Sequence, residues 1–393
     1  MPKILRILNR FNLGGPTYNA SYLSRYMPEE FETMLIGGEK DESEASSLHI
    51  PEDLGLKPTI IPTMRRELNP GNDYKSYKKI KEIIEEFKPD IVHTHASKAG
   101  ALGRLAAIHC HIPHLVHTFH GHVFHGYFNP IKSRAYKSIE RYLANRCDKI
   151  IAISDIQKKE LSEDHSICPA DKIQVIPLGF DLNRFLVDQN EHRSLFRSSY
   201  KLEDKVAIGI IGRLVPIKNH FLFLEGLKWL KNNSKTSFQA FIIGDGEERA
   251  HIEELAANLG LTFDSKTNPS VDLIFTSWIK DVSTVLPGLD VVTLTSLNEG
   301  TPVSLIEAQA AEKAIVSTNV GGIENVVLPN QSALLNDIGD KEQFSRNLQS
   351  LVDDETKRKS LSEAGKDFVF RNFHYDRLIR DTTQLYQQIL GKG

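Results

Sequence analysis

Two glutamates, Glu299 and Glu307, bracket the start of a helix in LNEGTPVSLIEAQA (297–310). Thr301 suits the N-cap and Pro302 the first helical position, which predicts a helix running through Ala311. Glu299 then precedes the helix and Glu307 lies on its flank, one to two turns in. An anion at such a terminus meets unpaired backbone N–H groups, while the flanking carboxylate can grip a diol. A second loop, GRLVPIKNH (212–220), carries Arg213 and Lys218 just after an apolar run and ahead of a helix beginning near Asn219. A guanidinium and an ammonium placed together can neutralise a diphosphate. A third, NLGGPTYNA (12–20), has Gly14 and Gly15, where backbone can approach a ligand closely, and Pro16 at a helix start. It is not GxGxxG, so a dinucleotide fingerprint is absent. Taken singly, each loop also fits a bland reading: a turn, two solvated cations, acidic residues near a helix start.

Histidines raise a separate question. His93, His95, His109, His111, His114, His117, His120, His122 and His125 crowd one stretch of the chain. The obvious chemistry is metal binding. Yet HLVHTFHGH reads as a strand and its exit, where alternate side chains point to opposite faces. His114, His120 and His122 share one parity and His117 has the other. The spacing does not converge like the i, i+4 pair of HExxH, and no carboxylate or CxxC pair completes a zinc set nearby. The expectation is no metal, with most of these histidines serving as hydrogen-bonded structural groups.

The elements that must position these loops alternate along the chain. KILRILN (3–9), ETMLIGG (32–38), DIVHTH (90–95), HLVHTFH (114–120), KIIAIS (149–154) and KIQVIP (172–177) read as strands. So do VAIGIIG (206–212), FQAFIIG (238–244), DLIFTSW (272–278), VVTLTS (291–296) and AIVSTN (314–319). Helical patterns such as 74–88 and 97–110 lie between them, which predicts parallel sheets covered on both faces. At 393 residues two domains are expected. The polar stretch 179–204 is expected to hold the linker, so the division is 1–180 and 181–393, with a last helix near 376–390 able to pack back on the first domain. Ligands of doubly wound sheets bind at the carboxyl ends of the strands, so two facing domains would share a cleft. A net charge of −3 gives no electrostatic footprint for nucleic acid. Cys110, Cys147 and Cys168 are isolated, and MPKILRILNR lacks the continuous apolar core of a signal peptide; a reducing cytosol is expected.

In these residues the chain resembles the retaining glycosyltransferases of family four, which have the GT-B fold. EGTPVSLIEAQA matches that family's E-x7-E signature with Glu299 and Glu307. GRLVPIK matches its Gly-Arg-Leu…Lys segment, NLGG its N-terminal glycine loop and HTFHG its Thr-x-His-Gly element. GDG (244–246), SWIKDV (277–282) and NVGGIENVV (319–327) stand where members carry similar segments, so the resemblance runs in order from about residue 4 to 335. HTHASKAGALGRLAA and HTFHGHVFHGYF further resemble a bacterial branch that builds surface glycans. NLGGPTYNA departs from the Gly-Gly-Ala-Glu version, which leaves the acceptor contacts open. Glu312-Lys313 replaces a usual glycine, a change expected to matter only at a helix end.

The resemblance implies a sugar transfer from a nucleotide-sugar, a UDP-sugar by expectation, to a hydroxyl acceptor in glycan biosynthesis. The first domain would bind acceptor and the second donor. Arg213 and Lys218 would stabilise the leaving diphosphate with N–H groups around Gly300 to Val303, a stretch whose Thr301 and Pro302 would also line the donor, so no metal or other cofactor is expected. Gly15 and Gly244 would line the donor site, Glu307 would hold the ribose, and backbone at Ile279 would meet the base. Glu299 and His120 would position the sugar, while Gly14, His122 and His125 would face the acceptor. A nucleotide-sugar epimerase or hydrolase and a non-catalytic sugar-binding protein remain alternatives. NPIKSRAYKSIERYLANRCDK (129–149) carries Lys132, Arg134, Lys137, Arg141, Arg146 and Lys149 against Glu140 and Asp148. Ile131, Ala135, Ile139 and Tyr142 lie at helical spacing, which leaves the basic residues able to face an anionic membrane together.

Overall fold

The computed structural model describes residues 1–11, 15–39, 47–65, 67, 69–121 and 130–391. The chain divides into two units: Met1–Phe180 with Phe373–Gly393, and Asp181–Asn372.

The first unit holds a parallel seven-stranded sheet of β1 (Lys3–Arg10), β2 (Glu32–Gly38), β3 (Thr59–Ile61), β4 (Ile91–His95), β5 (His114–Phe119), β6 (Lys149–Ala152) and β7 (Ile173–Val175). Its order is β3-β2-β1-β4-β5-β6-β7, so the winding reverses between β1 and β4. Leu5, Ile7, Val92 and Leu115 face one core, which takes in Ile80, Ile83 and Ile84 of helix Pro70–Phe87 and Ala99, Ala106 and Ala107 of helix Ser97–His109. Ile4, Ile91, Val116 and Ile151 face the other, against Leu378, Leu385 and Tyr386 of the final helix Tyr375–Ile389. That helix is tied down by Arg377, which donates to the carbonyls of Pro177 and Leu178 at 2.7 Å each.

The second unit repeats the plan with β8 (Val206–Ile211), β9 (Phe238–Ile243), β10 (Phe263–Asp264), β11 (Leu273–Ser277), β12 (Val291–Leu294), β13 (Ala314–Thr318) and β14 (Ala333–Asn336). All run parallel in the order β10-β11-β9-β8-β12-β13-β14. The reversal falls between β8 and β12, and the crevice there, beyond the carboxyl ends, is where such sheets bind ligands. Every residue of β8 and β12 is buried, as expected of strands covered on both faces. These are two Rossmann-like domains. Three short strands, β3, β10 and β14, escape the sequence pattern; at two to four residues they are too brief to show a period.

One local expectation changes. Helix Pro130–Arg146 turns out differently: Ile139 and Tyr142 are 50% and 47% exposed, beside exposed Arg134 and Arg146. Its inner face is Glu140, Leu143 and Ala144. The reason is Glu140, which is fully buried and bonded to equally buried Arg104 at 2.7 Å. An ion pair out of water must keep its partner, so it fixes the helix rotation against the apolar stripe. Glu312 adopts a left-handed φ of +59° at the end of helix Val303–Ala310, with Lys313 N–H donating to the Ala308 carbonyl at 2.9 Å. This helix ending favours glycine; Glu312 fills it while pairing with Lys366 at 2.5 Å. No helix among the described residues is long and apolar enough to cross a membrane.

Candidate active site

In the second unit the loops after β8 and β12 are built on each other. Gly212 N–H donates to the Ile243 carbonyl and Leu214 N–H to the Asp245 carbonyl, both at 3.0 Å. A Cβ at Gly244, whose φ is +148°, would lie 1.9 Å from the Gly212 carbonyl oxygen, and one at Gly246 would lie 2.3 Å from that of Leu214. The GDG segment is therefore glycine because backbone packs on the GRL backbone. Next come a tight turn, Pro216–Lys218, and helix His220–Asn233. From the other loop, Leu297 N–H donates to the Ile217 carbonyl at 2.8 Å and Thr295 Oγ1 to the Lys218 carbonyl at 2.9 Å.

This backbone frame brings Lys218 and Glu299 together. Lys218 Nζ lies 2.5 Å from Glu299 Oε1, which also accepts from Ser296 Oγ at 2.6 Å. Each charge thus has a partner, and Lys218 keeps further N–H donors that an anion can accept from. Arg213 stands at the same strand end, exposed and without an ion pair among the described residues. Burial, with Lys218 close by, pushes His220 down to about 4, so it is neutral at pH 7 and adds no charge there.

Behind Glu299 lies a support the sequence showed only as a glycine pair. Gly322 N–H donates to the Glu299 carbonyl at 2.9 Å. A Cβ at Gly321, with φ of +53°, would fall 2.0 Å from that carbonyl oxygen, and one at Gly322 would fall 1.8 Å from the Gly300 oxygen. The loop leads into helix Val303–Ala310, whose cap is Pro302 and not Thr301 as expected. No side chain accepts the first-turn N–H groups. Proline has no side-chain acceptor, and its carbonyl takes only the Leu305 N–H at 3.1 Å, so Val303 and Ser304 present donors at the positive end of the helix dipole.

Glu307 lies on the flank of that helix with its side chain only 16% exposed. Arg184 donates to its Oε1 at 2.9 Å. Burial pushes the Glu307 carboxyl up to about 7, with Arg184 opposing and Asp281 reinforcing the rise. Arg184 was not legible as a site residue because GFDLNRF read as linker. Ile279 is half-buried beside Trp278, which is 60% exposed. Gly244 N–H donates to the Ser277 carbonyl at 3.1 Å, joining the SWI turn to GDG.

In the first unit, His120 follows β5 and its Nε2 lies 2.9 Å from His95 Nδ1. Burial pushes His120 down to about 3, so it is a neutral imidazole; its Nδ1 has no hydrogen-bond partner among the described residues. His93 bridges Tyr386 Oη at 2.6 Å and Thr118 Oγ1 at 2.7 Å, His117 meets Thr94 Oγ1 at 2.8 Å, His109 meets Tyr77 and His114 meets Asp148. These histidines join sheet to helix and loop. Among the described residues no three His, Cys, Asp or Glu side chains gather as a metal-ligand set. Gly15 opens helix Gly15–Arg25, with Leu178 Cδ1 3.2 Å from where its Cβ would be. Gly14, His122 and His125 lie outside the described residues.

Comparison with known proteins bears on this geometry. Residues 13–184 match the family model Glycosyltransferase Family 4, and residues 192–368 match Glycosyl transferases group 1. The UDP-Gal:alpha-D-GlcNAc-diphosphoundecaprenol alpha-1,3-galactosyltransferase of Escherichia coli is 29% identical over 335 residues, 85% of this chain and 84% of that protein. The capsular polysaccharide biosynthesis glycosyltransferase CapM of Staphylococcus aureus is 25% identical over 343 residues, 85% and 86% of the two chains. HepE of Anabaena, solved in complex with UDP, superposes with a TM-score of 0.80 at 18% identity, covering 98% of this chain and 100% of that one.

Proposed function

This chain belongs to the family-four glycosyltransferases, and we propose that it moves a hexose from a UDP-sugar to a hydroxyl of a lipid-linked glycan with retention of configuration. The observation that carries the reading is the loop pair at the reversal between β8 and β12, where Lys218, Glu299 and an uncapped helix start converge. Support for the donor comes from HepE, which was solved with UDP, and support for the acceptor from the E. coli relative, whose name gives its acceptor as alpha-D-GlcNAc-diphosphoundecaprenol.

The donor diphosphate lies against the N–H groups around Gly300 to Val303, with Arg213 and Lys218 neutralising it. Such preorganised donors are most effective as charge develops on the leaving oxygen. Glu307 holds the ribose hydroxyls, and Ile279 and Gly244 flank the base end. Glu299 takes sugar hydroxyls with the lone pairs that Lys218 and Ser296 leave open. The C1–O bond to the diphosphate breaks while the acceptor oxygen bonds C1 from the same face. The acceptor proton passes to the leaving phosphate oxygen. The two cations supply the charge a metal would, so no metal takes part. The first unit takes the acceptor. Its helix Pro130–Arg146 offers exposed Ile139 and Tyr142 with Arg134 and Arg146, a combination suited to peripheral contact with anionic lipid; pelleting with anionic vesicles at low salt checks that contact.

The test is turnover of UDP-hexoses in EDTA by the wild type and by Arg213→Ala and Lys218→Ala. Each substitution should cost about 10²-fold or more in kcat, the scale of a lost transition-state donor, while EDTA leaves the wild type active. Near-normal rates in both variants, or loss in EDTA reversed by added metal, would overturn the assignment.

A further inference from the structure

Glu307 can hold a diol well only as a carboxylate, because the protonated acid turns one acceptor oxygen into a donor. Its surroundings work against that state. The side chain sits on the inner flank of helix Val303–Ala310, mostly withdrawn from water. A second carboxylate, Asp281, acts on it from the turn that it caps at Val282–Thr284. Burial and a like charge both favour the protonated acid. One cation opposes them: Arg184, from the short turn Asn183–Phe185, which donates to Glu307 Oε1 at 2.9 Å. Burial works against ionised Asp281, but bonds from the Ser283 hydroxyl and N–H hold it below the usual carboxylate range, with the charges of Arg184 and of His192 in helix Gln189–Ser199 adding to them. The Phe185 ring lies 4.7 Å from the Arg184 guanidinium carbon and steadies it. At 38% exposure the guanidinium stays wet, so it supplies charge without a large desolvation penalty of its own.

We propose that Arg184 is a positioning residue that keeps Glu307 ionised and aimed, so that the nucleotide ribose is captured by a pair of side chains and not by one carboxylate. Arg184 uses one oxygen of Glu307, and a carboxylate has further lone pairs for both ribose hydroxyls. The groups facing Glu307 are then Arg184 and Asp281, with His192 acting on Asp281. Loss of Arg184 leaves two carboxylates with no cation paired to Glu307 among the described residues, and Glu307 takes up a proton at a higher pH than before. Affinity for the nucleotide should therefore become strongly pH-dependent in the neutral range.

This inference rests on the donor reading above, and the experiment separates the two. UDP-glucose and UDP-galactose are titrated into the full-length wild type, Arg184→Gln, Arg184→Lys and Glu307→Gln from about pH 6 to about pH 9. A sugar nucleotide is the suitable probe because its diphosphate has no ionisation left in that range. With Glu307 titrating at about 7, wild-type affinity should fall about tenfold between pH 8 and pH 6. For Arg184→Gln the fall should begin at least about one pH unit higher. It should bind about fivefold or more weakly than the wild type at pH 7 and within about threefold at pH 9. Arg184→Lys should restore most of the wild-type profile, and Glu307→Gln should flatten it. A loss in Arg184→Gln that is equal at every pH, or no loss at all, overturns the role of Arg184 while leaving the donor site intact. Failure of the wild type to bind either sugar nucleotide at any pH takes down the donor reading and this inference with it.

Discussion

Gly322→Ala is a one-carbon change that should disable the loop carrying Glu299. Gly322 has a φ of −86°, which alanine adopts freely, so the substitution adds no backbone strain. What it adds is a methyl carbon 1.8 Å from the Gly300 carbonyl oxygen, with that group's carbon at 3.0 Å. The closest tolerable approach is about 3 Å, so one backbone must retreat by roughly 1 Å or more, a shift that in an active site can cost about 10²-fold. The retreat also stretches the bond from Gly322 N–H to the Glu299 carbonyl, now 2.9 Å. Glu299 and the N–H groups of Gly300, Thr301 and Val303 would move together, because one loop carries them. The cost to stability should be only about 1–3 kcal/mol, the usual scale of overpacking. UDP release from the donor, measured beside thermal unfolding, should thus show turnover down about 10²-fold in a folded protein. Gly339→Ala is the control: φ is +88° there and nothing lies within 4 Å, so it should lose a little stability and no activity. Gly322→Ala turnover within about threefold of the wild type would refute the reasoning that the glycine pair sets the loop's position.

Acid should unfold the first unit early. His93, His95 and His117 are pushed well below 6.5 by burial first and then by neighbouring positive charge, and His120 to about 3 by burial. Their folded pKa values lie below the unfolded value, so the unfolded chain gains protons first and stability is lost as pH falls below about 6.5. Each such histidine costs about 1.4 kcal/mol per pH unit; thermal melts from about pH 7.5 to about pH 5 should fall steeply, and a flat profile would contradict the burial argument. The two glutamates should separate kinetically. Glu307→Ala should raise the donor KM about 10- to 150-fold, the worth of charge-assisted hydrogen bonds of roughly 1.5–3 kcal/mol, and weaken UDP as well. Glu299→Ala should lower kcat while calorimetry shows UDP affinity little changed; the reverse pattern would mean the two roles are exchanged.

The legible part of this protein was what repeats locally. β8 and β12 are continuous apolar runs because helices cover both faces, and such runs are plain in a sequence. Lys218 and Glu299 were legible as types at strand ends, but their mutual bond was not, since it depends on backbone pairing between Ile217 and Leu297. Arg184 was missed because its partner lies 123 residues away. The inward turn of Glu140 was missed for a related reason: periodicity assigns a glutamate to water, and only the buried Arg104 on another helix reverses that. Thr301 is the better capping residue by type, yet the helix begins one residue later and leaves its first N–H groups uncapped. Good local chemistry is set aside there in the place where the proposed anion binds, as expected where function outranks local preference.

The central claim, that this chain transfers a sugar with the diphosphate as leaving group, is tested most directly by following one reaction in real time by proton NMR. The mixture contains the enzyme, α-linked UDP-hexoses and a diphospholipid-linked sugar acceptor, with EDTA present. The account predicts UDP appearing in step with a new α-anomeric signal on the acceptor, and no reaction when the acceptor is omitted. A β-anomeric product would contradict retention. Acceptor-independent release of free hexose, or conversion of one UDP-hexose into its epimer, would contradict transfer itself.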